Sequence, residues 1–105
     1  CVLPSRNARH GLLYTWNGVI NIKNEKWKND HSPIDPGSRN KSSRFYTKSY
    51  LRHLIHIGEL LGAQIATLHN LAFYLELVDT AREKILTNEF SHWKTEVINN
   101  VSKRL

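Results

Sequence analysis

Six histidines are the first residues in this sequence that could bind a metal or transfer a proton. His53 and His56 are three positions apart, so on a helix both would face the same side. A metal site needs three or four converging ligands, usually including carboxylates or thiolates, and only Glu59 lies near these histidines in the sequence. The sequence therefore favours His69 as a packed core residue, with His53 and His56 on the surface or at an interface, over a zinc site formed by His53, His56 and His69.

Two arginines, Arg6 and Arg9, lie in a polar stretch that Pro4 opens. These residue types predict a loop. In a loop, the two planar guanidinium groups could form paired hydrogen bonds with phosphates or base edges. Exposed arginines are common on protein surfaces, so this spacing alone does not distinguish RNA binding from a solvated surface.

The sequence contains no Gly-x-Gly-x-x-Gly, P-loop or Gly-x-Ser-x-Gly motif. Asp30 and Asp35 flank a proline-containing stretch, where turn formation explains them as well as acid–base catalysis does. Cys1 is the only cysteine, which excludes an intrachain disulfide and a site built from several thiolates. Residue chemistry alone therefore identifies no active site.

The composition fits a folded, basic domain. The 105 residues suit one domain or part of one, and 40% are hydrophobic, which argues against full disorder. Lysine and arginine number 15 against 9 acidic residues, and this excess of positive charge suggests a polyanionic partner, with nucleic acid as the first candidate. A soluble domain with spare lysines explains the charge equally well. No apolar run approaches the roughly 20 residues of a membrane span, and no secretory pattern is present. The absence of methionine suggests a fragment.

The elements that must position these residues fall into three regions, of which the first, residues 1–28, predicts a loop, a hairpin and a short helix. Asn17-Gly18 lies between two runs rich in β-forming residues, which is a strong hairpin signal. Trp27 is the one large anchor of a short helix predicted over residues 24–29. Residues 29–47 contain two prolines without helical or strand periodicity, which predicts a long loop.

Residues 48–105 have the spacing of three amphipathic helices. The first is predicted to end at Gly62, where a left-handed residue would close it. The second is predicted as one long helix that Thr87-Asn88 breaks. The third carries an apolar stripe of Phe90, Trp93, Val97, Val101 and Leu105. The predicted fold class is mostly α with a short β-hairpin, in which the three helices bury their stripes together.

Several motifs occur in an order that is specific when they are taken together. The opening Cys-Val-Leu-Pro-Ser-Arg-Asn-Ala-Arg-His-Gly resembles the Asp-Cys-Val-x-Pro-Thr-Arg-x-x-Arg-x-Gly segment of bacterial tRNA-guanine transglycosylases, also called queuine tRNA-ribosyltransferases. The resemblance continues along almost the whole chain, at residues 18–24, 32–36, 50–54, 59–63 and 69–74.

This resemblance implies the C-terminal part of a (β/α)8-barrel enzyme. Residues 1–36 would be the last part of the barrel, with the hairpin and the loop that contacts the anticodon loop. Residues 37–105 would be a helical subdomain that binds zinc in the family. Such enzymes exchange the wobble guanine of tRNA for a 7-deazaguanine base of the queuosine pathway, through a nucleophilic aspartate. The aspartate would directly precede Cys1, so the chain alone is expected to be inactive.

The resemblance also assigns roles to individual residues. Arg6 and Arg9 match two arginines that bind the tRNA anticodon loop. Tyr46, Tyr50 and His53 match an aromatic cluster at the contact of a homodimer, with packing inside the chain as the alternative. The implied location is the cytoplasm, without a membrane partner.

The zinc pattern of the family, Cys-x-Cys-x2-Cys-x25-His, falls on Ser38, Asn40, Ser43 and His69. Serine and asparagine are poor zinc ligands, so zinc is predicted to be absent and His69 to be a remnant ligand. The loop of residues 38–43 would then lack the metal ion that cross-links it in the family. No other cofactor is expected in this chain.

Two non-enzymatic functions also stay open. One is a basic helical RNA-binding module, or a non-catalytic subunit of the same family. The other is a structural dimerisation unit, for which Tyr46, Tyr50 and His53 are the only argument. An aspartate codon directly before Cys1 in the parent gene would favour the enzyme.

Overall fold

The computed structural model describes residues 2–105, with side chains described from Ser5 onward. Cys1, which the resemblance places after the nucleophile, lies outside the described residues. The described chain is mostly helical with one two-stranded antiparallel hairpin, as predicted. Its elements are α1 (Val2–Arg9), β1 (Leu12–Thr15), β2 (Gly18–Asn21), a 3₁₀ helix (Glu25–Trp27), α2 (Lys41–Phe45), α3 (Lys48–His56), α4 (Leu60–Leu86) and α5 (Phe90–Val101).

Helix α4 is the element that organises the rest. Its 27 residues contact α1, β1, α2, α3 and α5. The long helix predicted from the spacing is thus confirmed. The buried residues of α4 all lie in its first half. Side chains from that half can therefore contact both the hairpin and the loop before α2.

The first segment is a helix, so the prediction of a loop around Arg6 and Arg9 was wrong. Pro4 lies in the first turn of α1, where a residue without a backbone N–H forfeits no helical hydrogen bond. Arg6 and Arg9 lie in the last turn, where positive charge interacts favourably with the helix dipole. Ala8 is fully buried in the core and fixes the orientation of the helix.

The predicted hairpin is confirmed, but its turn is displaced by one residue. Thr15 pairs with Gly18, so Trp16 and Asn17 are the turn residues. The Thr15 hydroxyl donates to the Gly18 carbonyl at 2.7 Å and accepts from the backbone N–H groups of Asn17 and Gly18, each at 3.2 Å. This side chain, rather than two residues with positive φ, closes the turn.

The last residues of the chain pack against the hairpin. The Val19 N–H donates to the Lys103 carbonyl at 2.7 Å, and the Leu105 N–H donates to the Val19 carbonyl at 2.9 Å. Gly18 has φ +147°, and a Cβ atom there would lie 2.5 Å from the Lys103 carbonyl oxygen. Glycine is therefore required at this position by the close approach of the two backbones.

Helix α3 ends at His56 and is closed by Gly58, so the prediction that it ends at Gly62 was wrong. Gly58 has φ +75°, and its N–H donates to the Ile55 carbonyl while the Glu59 N–H donates to the Leu54 carbonyl. These bonds form a Schellman motif. Gly62 lies inside α4, where a Cβ atom would be 2.9 Å from Leu54 Cβ. Gly62 thus permits the close crossing of α3 and α4.

The break between α4 and α5 is the predicted one. Asn88 has φ +60°, and a second Schellman motif joins the N–H groups of Asn88 and Glu89 to the Ile85 and Lys84 carbonyls. The predicted apolar stripe of α5 lines a shallow cleft with α4 through Phe90, Trp93, Val97 and Val101.

The core lies between the hairpin side of the molecule and the first half of α4. Its most buried side chains are Leu13, Ile20, Ile22, Ile34 and Leu51. The expectation that three helical stripes are buried together is therefore only partly correct. Helix α5 has no buried residue, and the second half of α4 exposes Leu75, Ile85 and Leu86. The N-terminal segment supplies much more of the core than the sequence suggested, because alternate residues of both strands face inward.

We expect Leu51→Ala to lower the free energy of unfolding by about 2–5 kcal/mol, because it removes buried methyl groups and leaves a cavity. Leu51 is 0% exposed, whereas Leu86 is 80% exposed. The control Leu86→Ala should change the free energy by no more than about 0.5 kcal/mol. Urea denaturation followed by circular dichroism measures both. Equal losses in the two variants would contradict this location of the core.

Candidate functional site

The four positions that the resemblance assigns to zinc lie together in the structure. The Ser43 Oγ atom is 2.6 Å from His69 Nδ1, and the Asn40 amide donates to Ser43 Oγ at 3.2 Å. The Asn40 backbone N–H donates to Ser38 Oγ at 3.1 Å. We call Ser38, Asn40, Ser43 and His69 the polar cluster. Ser38, Ser43 and His69 are buried and Asn40 is half-buried.

Local turn chemistry brings the loop of the polar cluster back towards α4. Asn40 is the N-cap of α2, and its side-chain oxygen accepts from the Ser42 N–H at 3.3 Å. The Asp35 N–H donates to the Ser43 carbonyl at 3.0 Å, and the Ser38 N–H donates to the Asp35 carbonyl at 3.1 Å. Hydrogen bonds thus hold the loop of the polar cluster.

The environment of His69 fixes its tautomer. Its Nε2 atom is 2.7 Å from the Tyr14 carbonyl oxygen, which can only accept a hydrogen bond. Nε2 therefore carries the proton, and the lone pair on Nδ1 accepts from the Ser43 hydroxyl. Desolvation by burial lowers the pKa of His69, although the Tyr14 carbonyl and the charge of Asp35 oppose this shift. The imidazole is neutral at pH 7.

Asn70, the next residue on α4, completes the contact with β1. Its Oδ1 atom accepts from the Tyr14 N–H at 3.1 Å, and its Nδ2 donates to the Leu12 carbonyl at 2.8 Å. His69 and Asn70 thus satisfy backbone groups of β1 that β2 does not reach. The sequence analysis did not identify Asn70, whose only signal was its position beside His69.

The polar cluster does not fit the zinc ion that the resemblance implies. Zinc in such sites binds thiolates and imidazoles, and this chain offers two hydroxyls and an amide instead of thiolates. The one imidazole lone pair, on His69 Nδ1, already accepts from Ser43. Within residues 2–105, no three His, Cys, Asp or Glu side chains are grouped so that they could hold a metal. The alternative site of His53, His56 and His69 therefore does not assemble.

Arg6 and Arg9 are exposed on the last turn of α1. Their spacing of three places both side chains on neighbouring positions of one helix face. Arg9 also lines a cleft of about 510 Å³ between α1 and the start of α4. The two charges are thus presented together by a helix that is anchored in the core.

Tyr46 follows α2 directly, and Tyr50 and His53 lie within α3. The rings of Tyr46 and Tyr50 are stacked with centroids 5.6 Å apart, and Phe45 contacts Tyr46 edge to face at 5.1 Å. Tyr50 is 42% exposed and Phe45 is 77% exposed. His53 is one turn further along the exposed side of α3. We call Phe45, Tyr46, Tyr50 and His53 the aromatic patch; Phe45 was not identified from the sequence.

A basic cleft of about 500 Å³ lies beside the aromatic patch. Its lining contains no carboxylate, and its basic residues are Lys28, His31, Arg52, His53 and His56. The Ser49 hydroxyl donates to the Lys28 carbonyl at 2.7 Å and the Arg52 Nε donates to the Asn24 carbonyl at 3.2 Å, which holds the two sides of the cleft together. No sequence pattern predicts this cleft, because its two sides come from separate segments of the chain.

A family model matches nearly the whole chain. Residues 1–103 match the sequence model of the Queuine tRNA-ribosyltransferase family. The chain therefore belongs to this family of tRNA-modifying transferases. No helix in residues 2–105 is both long and apolar enough to cross a membrane.

Individual relatives carry the same name. The chain is 47% identical over 93 residues to the queuine tRNA-ribosyltransferase of Thiobacillus denitrificans, which covers 89% of this chain and 25% of that protein. It is 44% identical over 104 residues to that of Helicobacter pylori, which covers 99% of this chain and 28% of that protein. It is 43% identical over 100 residues to that of Francisella tularensis subsp. novicida, and this match covers 95% of this chain and 27% of that protein. The chain thus spans about a quarter of the length of these relatives.

We expect the stability of the chain to fall as the pH drops below about 6.5, the ordinary histidine pKa. His69 has a lowered pKa in the folded state, so the unfolded chain binds its proton first and acid favours unfolding. Above that pH the effect should be fully retained. Urea denaturation between pH 5 and pH 8 measures it.

The matched variants for this test are His69→Gln and His10→Gln. His10 is exposed. His10→Gln should keep the acid sensitivity, whereas His69→Gln should flatten the profile. An unchanged pH profile in the His69 variant would contradict the assignment.

Proposed function

We propose that this chain is the C-terminal portion of a tRNA-guanine transglycosylase. Such an enzyme exchanges the wobble guanine of tRNA for a 7-deazaguanine base of the queuosine pathway. The observation that carries the proposal is the family match over residues 1–103. Within the enzyme, this chain supplies RNA contacts and a folded helical support, and it acts in the cytoplasm, where tRNA is modified.

Arg6 and Arg9 bind the anticodon loop in this proposal. Both guanidinium groups are exposed and on one helix face, which suits two adjacent RNA groups. The formal charge of +6 strengthens the attraction to RNA as a whole. The forked donors of arginine add the geometry needed to read a base edge.

The chemical step needs a nucleophilic carboxylate. The proposed nucleophile is an aspartate that precedes the position of Cys1 in the parent protein. Asp35 is buried, and its Oδ1 accepts from the Gly37 N–H at 3.0 Å. Asp30 accepts hydrogen bonds from the Ser32 hydroxyl and backbone N–H, which lower its pKa and hold its carboxylate in a turn.

The aromatic patch forms the homodimer contact in this proposal. Stacked tyrosines with exposed edges bury large areas at little entropic cost, and their hydroxyl groups tolerate water at the rim. The histidine beside them adds a polar group to the same surface.

A non-catalytic RNA-binding module of the same family is the second candidate. The observation that favours it is the basic cleft, which carries five basic side chains and no carboxylate. In that case the chain would bind tRNA without supporting base exchange in any assembly.

The two candidates differ in a base-exchange assay. We expect the chain alone to incorporate no labelled guanine into tRNA, because the covalent intermediate requires the missing nucleophile. The parent protein should incorporate it. Incorporation by the chain alone would contradict the proposed division of roles, and an inactive parent protein would favour the non-catalytic module.

We expect Arg6→Lys or Arg9→Lys in the parent protein to lose about 1–3 kcal/mol of discrimination between the cognate and altered anticodon loops. Lysine keeps the positive charge of arginine but not its forked donors. The non-specific affinity for RNA and its salt dependence should therefore change little. Binding to cognate and loop-altered tRNA stem-loops at two salt concentrations measures both quantities.

Two further variants complete this test. Arg6→Ala should weaken binding to every stem-loop, whereas Lys94→Ala, on the exposed surface of α5, should leave discrimination intact. Equal discrimination by the wild type and both lysine variants would rule out base reading by these arginines.

A further inference from the structure

We propose that the polar cluster replaces the structural zinc of the family with a network of hydrogen bonds, and that the helical part of this chain folds without a metal. The inference rests on family membership and on the assignment of Ser38, Asn40, Ser43 and His69 to the zinc positions. It does not depend on the proposed catalytic role of the parent protein.

The first argument is that the same segments remain joined. The bond between Ser43 Oγ and His69 Nδ1, at 2.6 Å, links two residues 26 positions apart. A metal bound at these four positions would tie the loop before α2 to the middle of α4, and the hydrogen bond makes that connection directly. Its complete burial keeps water from competing with it.

The second argument is that each side-chain nitrogen and oxygen of the polar cluster has a hydrogen-bond partner. Ser43 donates to His69 and accepts from the Asn40 amide, while Ser38 accepts from the Asn40 backbone. The Asn40 side-chain oxygen accepts from the Ser42 N–H, and the second ring nitrogen of His69 donates to a carbonyl. Buried polar groups are costly only when they lack partners. This network therefore needs no cation to satisfy it.

The third argument concerns charge. A zinc site of three thiolates and one imidazole gathers negative charge that only the cation compensates. The polar cluster is built from two hydroxyls, one amide and one imidazole, all of which are neutral at pH 7. Zinc would have to displace the Ser43 proton from His69 Nδ1 and would gain only weak oxygen ligands in exchange.

The first experiment compares the wild-type chain in EDTA, in buffer and in excess zinc. The proposal predicts the same melting temperature by circular dichroism in all three solutions and no stoichiometric zinc by elemental analysis. A melting temperature that falls in EDTA, or one tightly bound zinc per chain, would overturn it.

The second experiment tests how much the hydrogen bond between Ser43 and His69 contributes to stability. Ser43→Ala removes the partner of His69 Nδ1, so we expect a melting temperature lower by roughly 5 °C. Ser42→Ala, a half-buried serine on the same helix, is the matched control and should melt like the wild type. Equal melting temperatures for the two variants would refute the structural role of the network.

The third experiment restores the thiolates in a Ser38→Cys, Asn40→Cys, Ser43→Cys variant kept under reducing conditions. The proposal predicts one zinc per chain and a melting temperature, or folding itself, that depends on zinc. The control places the third cysteine at Ser42 and should bind zinc more weakly. If the triple variant binds no zinc, whether it is folded or not, the four positions are not arranged as a metal site. That result would overturn the proposal.

Discussion

The imidazole of His69 connects three segments that are far apart in the sequence. One ring nitrogen holds the loop before α2 through Ser43, and the other holds the hairpin through the Tyr14 carbonyl. Because the ring is fully buried, both bonds form in a low-dielectric environment where an unpaired polar atom would be destabilising. The loop, the hairpin and α4 must therefore be in place together, and the arrangement of each depends on the other two.

The surfaces with functional potential are carried largely by α1 and α3, which both pack against α4. Arg6 and Arg9 are carried by a helix whose Ala8 is buried in the core, and the aromatic patch and basic cleft adjoin α3, whose Leu51 is buried in the same core. The second half of α4 and all of α5 contribute few buried side chains. Buried packing is thus concentrated beside the elements that carry the charged and aromatic groups.

Local signals in the sequence predicted those elements that depend on local interactions. The hairpin, the length of α4 and the break at Asn88 follow from turn residues and periodicity. The helix around Arg6 was missed because packing of Ala8 outweighs the loop tendency of its neighbours, and Gly62 was misread because its role is a helix crossing. The polar cluster was predicted from the resemblance to the family's zinc pattern, because the chemistry of its residues alone does not indicate a site. The basic cleft could not be predicted, since Lys28 and Arg52 meet only in the folded chain.

The pairing of Val19 with the segment around Arg104 joins residues from nearly opposite ends of the described chain. Contacts of such large sequence separation carry the greatest loop-closure entropy, so they form late, after the helices between them have docked. Until then β2 presents the Val19 N–H and carbonyl as an unpaired strand edge, to which another strand could add. The Gly18 backbone, which admits the final segment so closely, thus also allows that segment to cover this strand edge.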